Sequence, residues 1–234
     1  MNLSRVTLTR GTHQCVLQGM IHIGPQPLYA TIQRDMEALI KDGYQVFFEG
    51  VRKLPIEPPR SWNEVKIRKF FGTILELYPM AAATLGVVTQ KQHLKYPEDA
   101  VNADITFSDL TRRLDENGFT CNLMLGMMEF YGIEELRQKA AKDIHRRRDF
   151  KDLIRERSKE GWRGKIAKWF FFGKAMPILC DYRNEVAVDV VRRRSDGRHI
   201  YMQYGEKHIP GLITLFTSEG WTVAQTDHLD LLAF

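Results

Sequence analysis

An apolar run over Val16–Ile23 is broken by Gly24-Pro25-Gln26-Pro27, and Leu28, Ile32, Met36, Leu39 and Ile40 then recur at helical spacing. Gly43 supplies a helix stop, and Gln45–Val51 is apolar again. Strand, helix, strand is the pattern of a parallel crossover unit, because parallel strands cannot be joined by a tight turn. The same order returns near the other end of the chain. Asn184–Arg194 carries Val186, Val190 and Val191 on a helical face and ends at Ser195-Asp196-Gly197. A strand over His199–Tyr204, a break at Gly205 and Pro210, a short helix over Leu212–Ser218 stopped by Gly220, and a strand over Trp221–Gln225 follow.

The middle has a different character. Ser61–Leu94 places Val65, Ile67, Phe70, Phe71, Ile74, Leu77 and Tyr78 as a helix would, and residues 108–172 read as mostly helical. The pattern predicts an α/β fold: a central mostly parallel or mixed sheet flanked by helices, with a basic helical insertion over about 108–172 between the two strand–helix units. The 234 residues are enough for one domain, 1–234, with a single core.

Composition narrows the setting. Hydrophobic residues at 44% and charged residues at 27% exclude a disordered chain. Cys15, Cys121 and Cys180 are odd in number and far apart, with no C-x-x-C, which argues against a disulfide framework or zinc ribbon and for a reducing compartment. The start, MNLSRVTLTRGTHQ, lacks the apolar stretch of a secretory signal, and no apolar run approaches about 18 residues. The expected location is cytoplasmic. The net charge of +5 is uneven: Arg137–Lys168 holds 13 Lys/Arg and 5 Asp/Glu, so the remainder is net negative.

Ligands of open α/β sheets bind beyond the carboxyl ends of the strands. Three predicted strand ends carry chemistry there: Gly19-Met20-Ile21-His22, Glu49-Gly50-Val51-Arg52 and Gly205-Glu206-Lys207-His208. A glycine before a strand end admits a close approach, and a histidine three residues on can face the cleft. Two neutral imidazoles and a carboxylate are a workable ligand set for a first-row divalent ion, manganese, cobalt or zinc, which would lower the pKa of bound water. Glu49 could instead stay off the metal and take the proton from that water. Arg52 or Arg183 could stabilise the developing oxyanion. Each residue also has a plain structural reading. His22 is then a hydrogen-bonded core histidine, His208 shapes a turn before Ile209-Pro210-Gly211, and Glu49, buried after Val46-Phe47-Phe48, is one half of an ion pair with Arg52.

At these residues the chain resembles the TraB/GumN family, which includes the Tiki-like metalloproteases and is related to the erythromycin esterase and ChaN-like proteins. The family carries two G-x-x-H motifs and a glutamate after the second strand, matched here by Gly19–His22, Gly205–His208, about 190 residues apart, and Glu49, with Arg52 in E-x-x-R spacing. Asp181–Ala187 resembles the family's R-N segment, Gly205–Leu212 its G-x-x-H-hydrophobic-P-G-L ending, and Val101-Asn102-Ala103-Asp104 a mid-domain N-A-D segment. The resemblance covers about residues 14–107 and 176–225. Met20-Ile21 and Glu206-Lys207 stand where small residues are usual, and strand alternation would send Lys207 away from the side His208 faces.

The resemblance implies a metal-dependent, peptidase-like hydrolase acting on a peptide or small amide or ester. His22, Glu49, His208 and Asp104 would be the metal set, with Glu49, Arg52, Arg183 and Asn184 the catalytic and supporting groups. For Asp104 the alternative is a turn residue ahead of a helix beginning near Ser108. The alternative function is a catalytically inactive TraB-like protein that binds and sequesters a peptide. A third expectation concerns residues 137–172, whose basic run His145-Arg146-Arg147-Arg148 would suit nucleic acid or an anionic membrane surface. The plainer reading there is a solvated helical face, with Asp149, Asp152, Glu156 and Glu160 pairing along it. Trp169-Phe170-Phe171-Phe172 is expected to be buried, walling part of the cleft.

Overall fold

A computed structural model describes residues 2–122, 125–126, 173–231 and 233–234. In chain order the elements are β1 (Asn2–Arg10), β2 (His13–Met20), β3 (Ile23–Gly24), α1 (Gln26–Lys41), β4 (Tyr44–Phe48), α2 (Trp62–Thr84) and β5 (Val88–Thr89). They continue with α3 (Gln90–His93), β6 (Val101–Asn102), α4 (Phe107–Glu116), α5 (Arg183–Arg194), β7 (His199–Gly205), α6 (Ile209–Ser218) and β8 (Thr222–Asp230). A π-helical turn, Pro177–Tyr182, runs into α5, and a 3-10 turn, Glu206–His208, into α6.

The fold is α/β, as the strand–helix pattern predicts. Six strands form one mixed sheet in the order β6-β4-β7-β2-β1-β8, and β3 and β5 form a small antiparallel ladder. β2, β7, β4 and β6 run parallel, β1 runs antiparallel to β2, and β8 runs antiparallel to β1. The crossover β2–α1–β4 joins parallel strands that are not neighbours: β7 lies between them and pairs with both. Its sequence, HIYMQYG, is buried along nearly its whole length, as befits an interior strand covered on both faces.

α5 and α6 cover one face. Ala187, Val188 and Val191 of α5 and Leu212 and Phe216 of α6 pack on Leu17, Phe47, Ile200 and Met202 of the sheet. α1 covers the other face, with Met36 against Val16, Val46 and Tyr201. α2 and α4 make a helical cluster of their own, in which Ile67 and Phe70 meet Leu110, Leu114 and Phe119. α2 is capped by the Ser61 side chain, which accepts from the Glu64 N–H at 2.9 Å.

Several boundaries differ from the periodicity. The strand expected over Val16–Ile23 ends at Met20, and the one expected over Gln45–Val51 ends at Phe48, so His22 and Glu49 both sit beyond their strands. The helix expected over Ser61–Leu94 stops at Thr84, where Gly86 takes φ +65°, and β5 and α3 follow. β1 was not expected. Leu3 faces one core cluster and Val6 and Leu8 another, so the strand has no single apolar face, and its register to β8 shifts between Thr7 and Leu8.

Of the expected insertion over 108–172, α4 is described. The basic run His145–Arg148 and the aromatic run Trp169–Phe172 lie outside the described residues. All three cysteines are free. Among the described residues no helix is long and apolar enough to cross a membrane.

Candidate functional site

Because β7 lies between β2 and β4, the carboxyl ends of three parallel strands come together. Glu49 follows β4, the turn Glu206–His208 follows β7, and His22 follows β2. The Glu49 N–H donates to the Gln203 carbonyl at 2.9 Å and so extends the ladder by one residue. Its carboxylate then turns to two donors: Arg183 Nη2 at 2.5 Å on Oε1, and the Gly205 N–H on Oε2.

Arg183 is the hub. Its Nε and Nη2 bind Asp104 bidentately at 2.9 and 2.6 Å, Nη2 also reaches Glu49, and Nη1 donates to the Leu179 carbonyl at 3.2 Å. A longer contact, 3.4 Å, runs from Nη1 to His208 Nε2. All five guanidinium N–H groups are thus engaged, so Arg183 has no donor left for an oxyanion. It stands at the junction of the π-helical turn with α5, a kind of irregularity that recurs at functional sites.

Asp104 is fully buried. Oδ1 accepts from Arg183 Nε and the Ile105 N–H, and Oδ2 from Arg183 Nη2 and the Gly50 N–H. Four donors use the four lone-pair positions of a carboxylate, so Asp104 has none to offer a metal. Nor does it cap α4. Thr106 does, accepting from the Asp109 N–H at 3.0 Å.

The tautomer of His208 follows from its neighbours. Asn184 Nδ2 donates to the His208 carbonyl at 3.3 Å, which leaves Asn184 Oδ1 facing His208 Nδ1 at 2.7 Å. Nδ1 therefore carries the proton, and the Nε2 lone pair is free to accept from Arg183 Nη1, with Glu49 Oε1 3.6 Å away. Gly211 makes this possible: a Cβ there would lie 2.3 Å from Asn184 Nδ2. Burial is the largest influence on His208 and keeps it neutral, lowering its pKa from the usual histidine value although Glu49 pulls the other way.

Burial alone would raise the Glu49 pKa, but the Arg183 guanidinium above all, helped by the Gly205 N–H, outweighs it and holds the carboxyl at about 2. A carboxylate so firmly ionised is a poor proton acceptor at neutral pH, which favours ligand or field roles over the general-base role. Burial disfavours charge on Arg183, yet the bonds to Asp104 and the charges of Glu49 and Asp104 raise its pKa and keep it cationic. Two carboxylates, one guanidinium and a neutral imidazole leave the cluster with one net negative charge.

The remaining candidates lie at the rim. His22 is exposed, its ring 5.3 Å from that of Tyr78. Arg52 is not the ion-pair partner of Glu49. Its backbone bridges to the segment before α4, with its N–H on the Ile105 carbonyl, and its side chain is exposed. Lys207 is also exposed.

Neither motif glycine opens space for a ligand. Gly19 makes room for Glu206, whose carboxylate crosses it to bind the N–H and hydroxyl of Ser4 at 2.8 and 2.6 Å. A Cβ at Gly19 would lie 1.8 Å from Glu206 Oε2. Gly205 packs its backbone against Glu49. Glu206, Asn102 and Tyr204 were not singled out from the sequence. Asn102 bonds the Gly50 carbonyl and the Asp104 N–H, and the Tyr204 hydroxyl donates to the Ala103 carbonyl at 2.6 Å. The Val101–Asp104 segment was the available signal for Asn102, and for Glu206 it was a charged residue standing where small ones are usual in the motif.

Among the described residues no three His, Cys, Asp or Glu side chains converge as a ready-made metal set. The donor chemistry at two positions, Glu49 Oε1 and His208 Nε2, nevertheless fits a first-row divalent ion, and the net negative charge favours a cation. No family model, curated protein or solved structure matches the chain.

Proposed function

We propose that the chain is a hydrolase of peptide, amide or ester bonds, centred on Glu49 and His208. The observation that carries this reading is the 3.6 Å approach of a neutral, Asn184-oriented His208 Nε2 to the ionised Glu49 Oε1 at the junction of three strand ends. The resemblance to TraB/GumN proteins points the same way. Glu49, His208 and, from the rim, His22 are the groups that would hold manganese, cobalt or zinc. Such an ion supplies hydroxide at neutral pH when bound. Asn184 fixes the imidazole, as outer partners of ligand histidines do. Arg183 and Asp104 keep Glu49 ionised and in place. Arg52, whose guanidinium is exposed at the rim, is the group available for negative charge developing on a substrate carbonyl oxygen.

Purified protein titrated with manganese, cobalt and zinc by calorimetry should take up one ion, and His208→Gln should abolish uptake with an unchanged circular dichroism spectrum. Screening against peptide, amide and ester libraries should find a turnover that Glu49→Gln removes. No uptake together with no turnover sinks the proposal.

A specific observation favours a second reading, a sequestering protein without turnover: Arg183 already neutralises Glu49, and every donor it has is occupied. His22→Ala would then leave peptide binding intact. A turnover number destroyed by that substitution would exclude this reading.

A further inference from the structure

The segment that leads from Arg52 into α2 turns its apolar side chains outward. Leu54, Ile56 and Trp62 are 69%, 73% and 74% exposed. Among the described residues six large hydrophobic side chains are exposed, and three of them fall in this stretch of nine residues. Single exposed apolar residues are ordinary, whereas a concentration of them marks a contact surface.

The exposure is built into the fold. Pro55, Pro58 and Pro59 stiffen the backbone. The Glu57 N–H donates to the Ser108 hydroxyl at 3.0 Å, its carbonyl accepts from Arg68 Nη1 at 2.7 Å, and its carboxylate takes Arg112. The Arg60 N–H donates to Glu64 Oε2 at 2.8 Å, and Arg68 Nη2 binds Glu64 Oε1 at 2.6 Å. These bonds fasten the middle and the end of the segment to the first two turns of α2. Leu54 and Ile56 flank one proline, and Ile56 and Trp62 are six residues apart, within about 20 Å even for an extended chain. The three apolar tips therefore share one surface.

Charge selects the partner. Arg52, Lys53 and Arg60 are exposed, and the one acid of the segment, Glu57, is paired with Arg112. Cations beside protruding aliphatic side chains and a tryptophan are what seats at the headgroup level of a bilayer. Lys and Arg meet lipid phosphates, Trp takes the interface, and aliphatic tips reach the acyl chains. A bilayer also conforms to a protruding loop, whereas a protein partner needs a matching hollow. We propose that residues 53–62 dock the protein on an anionic phospholipid surface, with Leu54, Ile56 and Trp62 inserted and Lys53 and Arg60 on the headgroups. This docking does not depend on what the Glu49–His208 cluster does.

The test is co-sedimentation of the full chain with vesicles of equal parts phosphatidylcholine and phosphatidylserine, and with vesicles of phosphatidylcholine alone. The mixed vesicles should bind at least about 10-fold more tightly. Tryptophan emission should move to shorter wavelength on binding, and Trp62→Phe should remove that movement. Leu54→Ser with Ile56→Ser should weaken binding at least about 10-fold. Lys53→Gln with Arg60→Gln should weaken it by about 10-fold. Leu75→Ser, which removes an exposed apolar side chain of α2 outside the segment, should leave binding unchanged. No binding to the mixed vesicles would assign the surface to a protein partner and overturn the proposal. Full binding by either double variant, its fold verified by circular dichroism, would place the lipid contact elsewhere in the chain and overturn it too. So would an emission shift that survives Trp62→Phe, or a loss in Leu75→Ser as large as in Leu54→Ser/Ile56→Ser.

Discussion

Helix α5 begins with an arginine buried among carboxylates and ends with three that face water. Arg183 reaches Asp104, Glu49 and the Leu179 carbonyl inside the protein, while Arg192 and Arg193 pair with Asp189 and Glu219 on the surface. The residue type and the helix are the same. What differs is desolvation. At the buried end each partner depends on the others, because an unpaired charge there cannot turn to water. At the exposed end water substitutes for any partner that leaves.

The largest expected effect is at Arg183. Arg183→Met would leave Glu49 and Asp104 charged and unpaired, costing about 3–5 kcal/mol in urea unfolding at neutral pH. The deficit should shrink as acid protonates Glu49. A cost below about 1 kcal/mol would erase the contrast between the two ends of the helix. Next is Gly19→Ala, which brings a Cβ against the Glu206 carboxylate and 3.0 Å from the Ser4 carbonyl. About 1–3 kcal/mol should be lost, and adding Glu206→Ala should return part of it in a double-mutant cycle.

Smaller is the pH dependence carried by Glu49. Its carboxyl is held at about 2 in the fold against an ordinary 4.5, so the unfolded chain binds its proton first on acidification. The stabilisation from the charge is therefore complete above about pH 4.5 and is lost as pH falls toward 2. Melting temperatures of the native protein and Glu49→Gln, followed from pH 7 to pH 2, should differ by a constant amount at first and converge below about 4.5. A difference that stayed flat through that range would mean Glu49 is not held ionised. Arg193→Gln should change neither the melting temperature nor its salt dependence measurably, since its partner Asp189 is itself exposed.

What the sequence could disclose follows the same division between local and distant. Strand and helix order around Val16–Val51 and Asn184–Gln225 was legible, because each element's apolar period lies within a few residues. Glu49 and His208 were legible as charged or titratable groups set directly after buried strands. The partner of Glu49 was not. Arg52, three residues on, was the local choice, whereas Arg183 arrives from 134 positions away. Arg183 was legible as a cation for an oxyanion, not as the partner of Glu49, and Asn184 came into view through a resemblance, since its own spacing says only that a helix begins. Gly19 was legible as a point of close approach, but that Glu206 makes the approach depends on β2 and β7 pairing in register. β8 escaped in part because most of its residues are exposed, so no alternation marks its full length.

The place of β7 has a consequence for how the molecule comes into being. Until residues 199–205 have left the ribosome, β2 and β4 have no edge to bind to each other, since each hydrogen-bonds to β7. A nascent chain with everything up to α5 carries a slot in the middle of its sheet, with two unsatisfied strand edges flanking it. Closure is then a late, long-range event of the slow kind. Any partner that shields nascent edges would have its longest opportunity on this chain before residues 199–205 emerge.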